Sequence, residues 1–401
     1  MTTTAFLVIN TGSSSIKCQL FDSALRTLLK AQLSALDSAA PQWQVRITDA
    51  GRRAAGDHGL RQDSESAPPS RLNATEAVAF VMARLAALTA GCALQAIGHR
   101  IVHGGSTFTE PCVIDDAAMQ ALEALIPWAP LHQPFNLALV RACRQQWPAL
   151  PQIGCFDTAF HRTLPAVARR LALPREYGER GVQRYGFHGT SYQYVAGRLP
   201  ALLGSDQRRR VIVAHLGNGA SLCALRDGVS VETSMSFSVL DGLVMSSRCG
   251  ALDPGVVLYL LEQEQLDAAQ LRELLYRRSG LLGVSGISAD MRELQTSPAA
   301  AAAEAMDLFI YRCIQQLGAL IAVLGGLDTL VFTAGIGEHQ PAIRARICQG
   351  LAWLGLELDT HANDAPQGEA RISTAASAVT ALVVPTDEER VIAEACLRLA
   401  G

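Results

Sequence analysis

Four times along the chain, an apolar run typical of a buried strand passes directly into a turn of small polar residues. The four runs are V-I-N-T-G-S-S-S (8–15), V-A-H-L-G-N-G-A-S (213–221), V-F-T-A-G-I-G-E (331–338) and V-V-P-T-D-E-E (383–389). In α/β sheets, ligands bind beyond the carboxyl ends of the strands. Because these ends span nearly the whole chain, we expect one ligand to be bound from two sides, in a cleft between two domains. We also expect the last segment to return to the first domain.

The length and the order of elements predict a mixed α/β protein. At 401 residues the chain is too long for one ordinary core, so two domains, or alternatively three, are expected. Apolar runs predict strands at Phe6–Ile9, Ala96–Val102, Val211–Leu216, Leu330–Thr333 and Ala381–Val384. Helices are predicted at Thr75–Thr89, Asn136–Gln146 and Ala299–Leu324, the first capped by Thr75 and ended by Gly91. Short strands and loops on one edge are expected over residues 35–75.

Charge and composition argue against several classes of partner. The net charge is −3 and the basic runs are short, so no nucleic-acid partner is expected. No positive region precedes the apolar N-terminal residues, and the apolar stretch Leu317–Leu327 falls short of the roughly 20 residues of a membrane span. We therefore expect a cytoplasmic protein without a membrane partner. The ten cysteines contain no C-x-x-C pair, so they are expected to be reduced and mostly buried, without a metal cluster.

The glycine-rich turns are suited to phosphate. Glycines beside a small polar side chain let backbone N–H groups approach phosphate oxygens, as Gly217 and Gly219 do around Asn218. A simple hairpin turn explains this loop equally well, and a polar turn is the alternative for residues 10–15. T-A-G-I-G-E fits a strand-to-helix turn that admits a ring or ribose. It lacks the third glycine of G-x-G-x-x-G, which disfavours a dinucleotide site.

Two arginines lie in settings that suggest anion binding. Arg100, in G-H-R-I-V-H-G-G, lies among apolar residues near a strand end, and Arg248 lies in the uncharged S-S-R-C-G. A guanidinium is the natural bidentate partner of a carboxylate or phosphate. For Arg100 the alternative is a structural ion pair with an internal acid, because buried arginine is costly unless it is paired.

Further polar residues follow the other strand ends. Asp157 comes directly after an aromatic residue, and His161 and His188 lack the spacing of a zinc site. A histidine in such a setting is either a satisfied core residue or a functional one, and both alternatives stay open. Asn10 and Glu388 offer hard oxygen ligands for a cation, which fits a magnesium ion that arrives with a nucleotide. Glu388 also suits the N-terminus of the last helix.

Together, these motifs resemble those of the acetate kinase family, in the acetate and sugar kinase, Hsp70 and actin superfamily. The resemblance runs in family order from V-I-N-T-G-S-S-S-I-K through G-H-R-I-V-H-G-G, A-P-L-H-Q-P, F-D-T-A-F-H, Y-G-F-H-G-T-S, H-L-G-N-G-A-S, G-I-S-A-D-M-R and T-A-G-I-G-E to P-T-D-E-E-R. It implies an α/β fold of two ribonuclease-H-like, actin-like ATPase domains with the active site in the cleft, and a homodimer. The implied domains are residues 1–150 with 385–401, and residues 151–384.

The resemblance also implies a role for each matching position. Magnesium, or alternatively Mn²⁺, would bind Asn10 and Glu388. The nucleotide would contact Ser13, Ser15, Lys17, His215, Leu216, Gly217, Asn218, Gly219, Asp290, Met291, Arg292, Gly335, Ile336, Gly337, Glu338 and His339. The reacting phosphoryl group would be surrounded by Arg100, Asp157, His188 and Arg248. The acyl tail would be lined by Val102, Leu131 and Phe187.

The implied reaction converts ATP and a short carboxylate to ADP and an acyl phosphate, reversibly, with acetate and acetyl phosphate as the expected pair. A carboxylate is ionised at neutral pH, so it needs no general base. It needs relief from repulsion by the phosphoryl oxygens, which positioned cations supply. We therefore expect Asp157 to orient Arg248 or a magnesium-bound water and not to transfer a proton.

Four departures from the family pattern concern the expected site. Val239 replaces a proline at the acyl tail, Ser246 replaces a glycine, Ala251 replaces an aspartate and Asp387 replaces an asparagine. Because Val239 lacks the ring and fixed φ of proline, propionate or a broader range of short carboxylates is the alternative substrate. A non-catalytic actin-like nucleotide-binding protein and a sugar kinase are the rival functions. Neither explains two candidate arginines together with an apolar acyl region.

Overall fold

The computed structural model describes residues 3–12, 15–36, 40–55 and 72–400, with the backbone alone at 53–55. The chain folds as two compact units: unit 1 is Met1–Ala159 with Asp387–Gly401, and unit 2 is Phe160–Thr386. The boundaries expected from the sequence are 150 and 384. Ser13, in the first expected phosphate loop, lies outside the described residues, and so do residues 37–39 and 56–71 of the edge segment expected at 35–75.

The strands of the described residues are β1 (Thr3–Thr11), β2 (Ser15–Asp22), β3 (Thr27–Ser34), β4 (Gln42–Ile47), β5 (Cys92–Ile101), β6 (Cys112–Val113), β7 (Gln152–Phe156), β8 (Arg210–Leu216), β9 (Ala220–Arg226), β10 (Val229–Thr233), β11 (Thr329–Thr333), β12 (Ala370–Arg371) and β13 (Thr380–Val383). Their α-helices are α1 (Asp49–Ala55), α2 (Ala74–Thr89), α3 (Asp116–Glu123), α4 (Gln133–Gln146), α5 (Ala166–Arg169), α6 (Arg175–Glu179), α7 (Gly189–Leu202), α8 (Pro254–Glu262), α9 (Ala268–Arg277), α10 (Gly280–Ser285), α11 (Met291–Thr296), α12 (Ala300–Leu324), α13 (Ala334–His339), α14 (Pro341–Gln349), α15 (Thr360–Asp364) and α16 (Glu388–Ala400).

Each unit is built on one mixed sheet, and the two sheets share a strand arrangement. In unit 1 the order is β4-β3-β2-β1-β5-β7-β6, and in unit 2 it is β10-β9-β8-β11-β13-β12. In both, antiparallel strands lead to a central strand, β1 or β8, which pairs in parallel with the next strand along the sheet. The mixed α/β class and the two ribonuclease-H-like sheets expected from the sequence are confirmed.

The alternation of side chains along β1 explains why helices cover both faces of the unit 1 sheet. Leu7 and Ile9 belong to the core formed with α2 and α4, whereas Phe6 and Val8 belong to the core formed with α16. This is the period of two that a strand buried on both faces requires. The last helix therefore completes the core of unit 1.

Helix α16 lies very close to the sheet because β5 carries a glycine beneath it. A Cβ at Gly98 would lie 2.4 Å from Ile392 Cγ2 and 2.6 Å from Cys396 Sγ. Any side chain at this position would push the helix away from the sheet. Since α16 begins at Glu388, this contact also positions the first turn of the helix, as the helix-terminus interpretation of Glu388 predicts.

The long helix α12 is a core helix of unit 2. Its buried residues, which include Phe309, Cys313, Leu317 and Leu324, recur every three or four positions and form the face that packs on β8 and β9. By length and composition it is the one helix of the described residues that could span a membrane. We did not predict this from the sequence, because we considered only the shorter apolar stretch Leu317–Leu327. Gly325, at φ 74°, ends it as expected.

The predicted N-cap of α2 is wrong by two residues, and the helix begins at Ala74, one residue before the predicted Thr75. Asn73, not Thr75, is the N-cap: its side chain accepts from Glu76 N at 3.0 Å, and Glu76 Oε2 accepts from Asn73 N at 2.8 Å. This reciprocal pair satisfies two N–H groups, whereas a cap at Thr75 would leave Glu76 one residue inside the helix start. The helix ends at Thr89 with Ala90, not Gly91, at its C-cap.

Candidate functional site

Three neighbouring parallel strands of unit 1 bring the expected site residues to one sheet edge. Asn10 lies near the end of β1, Arg100 near the end of β5, and Asp157 follows β7 directly. Because β1, β5 and β7 pair in parallel, their carboxyl ends meet at the same edge. The first turn of α16 meets Asn10 there, since Asn10 bonds to both Glu388 and Glu389.

Arg100 and Asp157 form a bidentate ion pair in which the Asp157 side chain is 1% and the Arg100 side chain 12% exposed. Nε of Arg100 donates to the two carboxylate oxygens of Asp157 at 2.9 and 3.1 Å, and Nη2 donates to Oδ2 at 2.6 Å. Burial lowers the pKa of a guanidinium, but the carboxylates of Asp157 and Glu388 outweigh burial here and raise the pKa of Arg100 above its usual value. The ion-pair alternative for Arg100 is therefore realised, with Asp157 as the partner. The expected link between Asp157 and Arg248 stays a prediction.

Asn10 connects this pair to the first turn of α16. Its Oδ1 accepts from Arg100 Nη1 at 3.2 Å, and its Nδ2 donates to Glu388 Oε2 and Glu389 Oε1, each at 2.8 Å. Burial raises the pKa of Glu389, while the Lys17 ammonium acts in the opposite direction. The Asn10 amide therefore connects the Arg100 guanidinium to the carboxylates of Glu388 and Glu389, and these hydrogen bonds fix its orientation.

The other expected residues of unit 1 lie around this network or apart from it. Lys17 pairs with Asn10 across β1 and β2 and is exposed, and Ser15 begins β2 half-buried. Val102 is buried, and its N–H donates to Asn136 Oδ1 at 3.0 Å. Leu131 is 37% exposed, so it is a surface residue within this unit.

In unit 2, the L-G-N-G-A-S motif forms the hairpin between β8 and β9. Leu216 pairs with Ala220, and Gly217 N donates to Gly219 O at 3.1 Å across the exposed Asn218. The hairpin alternative therefore describes the backbone. The hairpin also places Gly219 beside two polar side chains: a Cβ at Gly219 would lie 3.1 Å from His188 Nε2 and 3.5 Å from Arg248 Nη1. The hairpin, His188 and Arg248 thus meet at one place.

His188 is held in position from both sides. Its backbone is left-handed, with φ 59° and ψ 25°, at the N-terminus of α7. Its Nδ1 lies 2.8 Å from Ser221 Oγ, and its ring stacks on His215 with centroids 4.1 Å apart. Ser191 in turn bonds to His215 Nδ1 at 2.8 Å. A left-handed, non-glycine residue is costly unless its surroundings hold it, so this geometry is a sign of function.

Arg248 is buried on a loop that α10 supports. Its Nη1 donates to Val239 O at 3.1 Å, so the backbone of Val239 orients this guanidinium. Gly280, at φ 64°, begins α10 directly against the loop. A Cβ there would lie 2.2 Å from Met245 O and 2.7 Å from Arg248 O. The backbone that carries Arg248 therefore depends on the glycine at 280.

T-A-G-I-G-E forms the predicted strand-to-helix turn between β11 and α13. Ala334 adopts φ 65°, and its N–H donates to Glu338 Oε1 at 2.7 Å. The same carboxylate oxygen accepts from Thr386 N at 3.2 Å. A Cβ at Gly217 would lie 3.5 Å from Ala334 Cβ and 3.9 Å from Gly335 N, so this turn lies beside the β8–β9 hairpin. Ile336 and Gly337 are buried, and His339 is exposed.

The D-M-R motif caps α11. Asp290 Oδ1 accepts from Arg292 N at 2.8 Å, and the Arg292 side chain, which is exposed, folds back on the same carboxylate. Met291 is buried.

The expected histidines separate into two kinds. His161 is a satisfied core residue: its Nδ1 bonds to Ser230 Oγ and its Nε2 to the carbonyl of Phe187, each at 2.9 Å. Burial lowers the pKa of His161 to about 4. Its neutral ring holds the backbone of the buried Phe187, and so it fixes the segment that leads to His188.

Nearly the whole chain matches a known family, and its relatives match in sequence and in structure. The family model described as the acetokinase family matches residues 5–394. The chain belongs to the acetokinase family. Acetate kinase from Rhodopseudomonas palustris is 47% identical over 400 residues, covering 98% of each chain. The Porphyromonas gingivalis acetate kinase structure has a TM-score of 0.83 at 36% identity, covering 99% of this chain and 100% of its own. A Francisella tularensis propionate kinase structure has a TM-score of 0.83 at 33% identity, with full coverage of both.

Membership of the acetokinase family makes the protein a kinase of the actin-like ATPase fold. Whether Asn10 and Glu388 fit a magnesium ion depends on their donor atoms. One carboxylate and one amide oxygen suit an ion that keeps several waters and phosphate ligands. No group of three or more His, Cys, Asp or Glu side chains arranged for a metal occurs in the described part of the chain. By type, these donors suit a magnesium ion carried by a nucleotide, although in this structure Asn10 Oδ1 accepts from Arg100 Nη1 and Asn10 Nδ2 donates to Glu388 Oε2.

Three residues of this acetokinase site were not identified from the sequence. Ser221 and Glu389 lie inside two of the motifs, H-L-G-N-G-A-S and P-T-D-E-E-R, so their position in the sequence could have identified them as site residues. Arg344 of α14 had none, since A-I-R-A-R resembles an exposed helix face. It is fully buried, and its Nη1 donates to the carbonyls of Gly337 and Glu338 at 2.9 Å, which closes the end of α13.

Proposed function

We propose that this enzyme transfers the γ-phosphoryl group of ATP to acetate by direct in-line displacement and yields acetyl phosphate and ADP, reversibly. The observation that carries the proposal is the meeting of the glycine hairpin, His188 and Arg248 in unit 2. Gly219 leaves no room for a side chain there, because a Cβ would lie 3.1 Å from His188 Nε2 and 3.5 Å from Arg248 Nη1. Fixed donors aimed at one point are what a transferring phosphoryl group requires. The names of the relatives, acetate kinase, support acetate as the acceptor.

The proposed chemistry needs positioned positive charge and no general base. Acetate is already an anion at neutral pH, and repulsion from the phosphoryl oxygens is the main obstacle to attack. Arg248 is buried and Arg100 is 12% exposed, and each has a fixed hydrogen-bond partner, the carbonyl of Val239 and Asp157 respectively. Arginines of this kind contribute on the order of 10³-fold or more to phosphoryl transfer. We assign both arginines and His188 to the reacting phosphoryl group.

Asp157 is proposed to position Arg100. Both of its carboxylate oxygens accept hydrogen bonds from that guanidinium, and the residue is almost completely buried. An acceptor occupied in this way is poorly placed to take a proton from a substrate. Its role is therefore electrostatic, and loss of its charge would displace Arg100.

The remaining assignments follow the family pattern. Asn10 and Glu388 would hold magnesium, which when bound neutralises charge on the nucleotide phosphates. Nucleotide phosphates are assigned to residues of the first loop and of the β8–β9 hairpin: Ser13, Ser15, Lys17, His215, Leu216, Gly217, Asn218 and Gly219. The adenosine is assigned to Asp290, Met291, Arg292, Gly335, Ile336, Gly337, Glu338 and His339. The acyl tail is assigned to Val102, Leu131 and Phe187.

We also propose a homodimer in the cytoplasm, and we assign the dimer surface to α8. This nine-residue helix has no buried residue within the chain. It exposes Val256, Leu258, Tyr259 and Leu261, which are distributed around the helix, and so much exposed apolar surface is unusual for a free helix. A second copy of the chain would cover this surface. Sedimentation of the wild type and of a Leu258→Glu variant tests the assignment, and a variant that stays dimeric contradicts it.

The function is tested with ATP, Mg²⁺ and hydroxylamine, offering acetate, propionate, butyrate or glycerol in parallel. Acyl hydroxamate from acetate, with an equal amount of ADP, is the expected result. The kcat/KM ratio of acetate to propionate measures the effect of Val239. Arg248→Lys should lose most of the activity, whereas Arg312→Lys, on the exposed face of α12, should keep it. ADP without hydroxamate from any acid contradicts the proposal, and phosphorylation of glycerol favours a sugar kinase.

A further inference from the structure

Ser246 is tied to the tip of the β8–β9 hairpin by two hydrogen bonds. Its N–H donates to Asn218 O at 3.2 Å, and its Oγ donates to Asn218 Oδ1 at 3.3 Å. Ser246 is buried, whereas Asn218 is exposed at the end of the hairpin. The exposed amide is therefore oriented by a hydroxyl that the fold holds from beneath.

The loop that carries Ser246 is rigid for reasons independent of Asn218. Leu282 N donates to Ser246 O at 3.0 Å, and Leu281 N donates to Met245 O at 2.9 Å, so α10 binds the loop backbone. Arg248 lies two residues further along the same loop. The Ser246 hydroxyl consequently links the expected phosphate hairpin to the support of the Arg248 guanidinium.

The direction of the side-chain bond decides which face the Asn218 amide presents. A side-chain amide has one acceptor oxygen and one NH₂ donor group, on opposite sides. With its oxygen turned toward the Ser246 hydroxyl, the NH₂ group is turned away from the loop. A phosphate requires donors, and an amide fixed in advance loses less rotational freedom on binding. A glycine at 246, as in the family pattern, has no hydroxyl, so the orientation of the Asn218 amide would not be fixed by this hydrogen bond.

We propose that Ser246 is a positioning residue that orients the Asn218 amide toward the nucleotide phosphate. The proposal rests on the proposed function, since it takes ATP and ADP as the ligands of this hairpin. A single neutral hydrogen bond corresponds to an effect of about three- to tenfold on binding. The effect should fall on the nucleotide and not on acetate, because neither bond of Ser246 to the hairpin involves an acyl-pocket residue.

A double-mutant cycle tests the proposal. The enzymes compared are the wild type, Ser246→Ala, Asn218→Ala and the double variant, with calorimetric Kd for ADP and KM for ATP and for acetate as readouts. Ser246→Ala should weaken nucleotide binding by about three- to tenfold and leave the KM for acetate unchanged. In the Asn218→Ala background the same change should have no further effect. Ser246→Thr, which keeps the hydroxyl, should restore part of the binding.

Ser247→Ala is the matched control. The Ser247 hydroxyl belongs to the same loop but donates to Tyr276 O at 2.9 Å, away from the hairpin. Its removal should leave nucleotide binding unchanged. The inference is overturned if Ser246→Ala acts equally in both Asn218 backgrounds, or if it changes the Kd for ADP less than about twofold. A wild type that binds ADP but forms no acetyl phosphate contradicts the proposed function and leaves this cycle measurable, so the two failures are distinguishable.

Discussion

Replacing Asp157 by asparagine tests whether its charge positions Arg100. The substitution keeps the shape of the side chain but leaves one acceptor oxygen where Arg100 now finds two. The new NH₂ group would face guanidinium N–H groups that now lie 2.6 to 3.1 Å from the carboxylate. Removing one partner of a buried ion pair costs about 3–5 kcal/mol. Because Glu388 Oε2 lies 3.7 Å from Arg100 Nη1 and remains, we expect the lower end, about 3 kcal/mol.

Activity should fall because Arg100 is displaced. A misplaced catalytic group of this kind costs on the order of 10²-fold in rate, so kcat should fall by about that factor. The pH profile of kcat should keep its shape, since no proton passes through Asp157. Urea denaturation gives the free energy of unfolding, and a coupled ADP assay from about pH 5.5 to 9 gives kcat.

Glu369→Gln is the control for this experiment. Glu369 also forms a bidentate pair, with Arg198 at 2.6 and 2.9 Å, but on the surface of unit 2. A surface pair contributes about 0–1 kcal/mol, so stability and kcat should hardly change. The reasoning is refuted if Asp157→Asn keeps near-full activity and stability. Loss of an ionisation from the kcat profile would instead assign proton transfer to Asp157.

Three further predictions concern the support of the site. Gly280→Ala should lower kcat and destabilise unit 2 by about 2–4 kcal/mol through the contact with Met245 O, whereas Gly286→Ala, also at φ 64° but in open space, should cost only about 1 kcal/mol; urea denaturation and kcat compare them. Burial lowers the pKa of His161 to about 4 from 6.5, so its contribution to stability is complete above pH 6.5 and is lost as pH falls toward 4; denaturation curves at about pH 7.5 and 5 should differ less in His161→Asn. Val239→Pro should change the acetate-to-propionate ratio of kcat/KM by about tenfold, and an unchanged ratio would remove Val239 from the acyl pocket.

The strand ends were predictable because they depend on local sequence. Apolar runs followed by glycine or asparagine predicted β1, β8 and β11, and the turn from β11 into α13 formed as expected. The start of α2 was predicted wrongly because Thr75 and Asn73 both suit an N-cap, and only the reciprocal bond with Glu76 decides between them.

The partners of the site residues were less predictable because they depend on distant segments. Residues 100 and 157 pair only because β5 and β7 are adjacent, which no local pattern encodes. The buried position of Arg344 depends on Asn363 and on the end of α13, far apart along the chain. Ser246 was visible as a departure from the family pattern, yet its bond to Asn218 required the fold.

The most direct test of the central claim is ³¹P NMR of the purified enzyme with ATP, Mg²⁺ and acetate. The account predicts an acyl phosphate resonance that grows in step with ADP and reverses when acetyl phosphate and ADP are supplied instead. Arg100→Ala and Arg248→Ala should each abolish the resonance, although they lie in different units. Release of ADP with inorganic phosphate and no acyl phosphate, at any acetate concentration, would contradict the account.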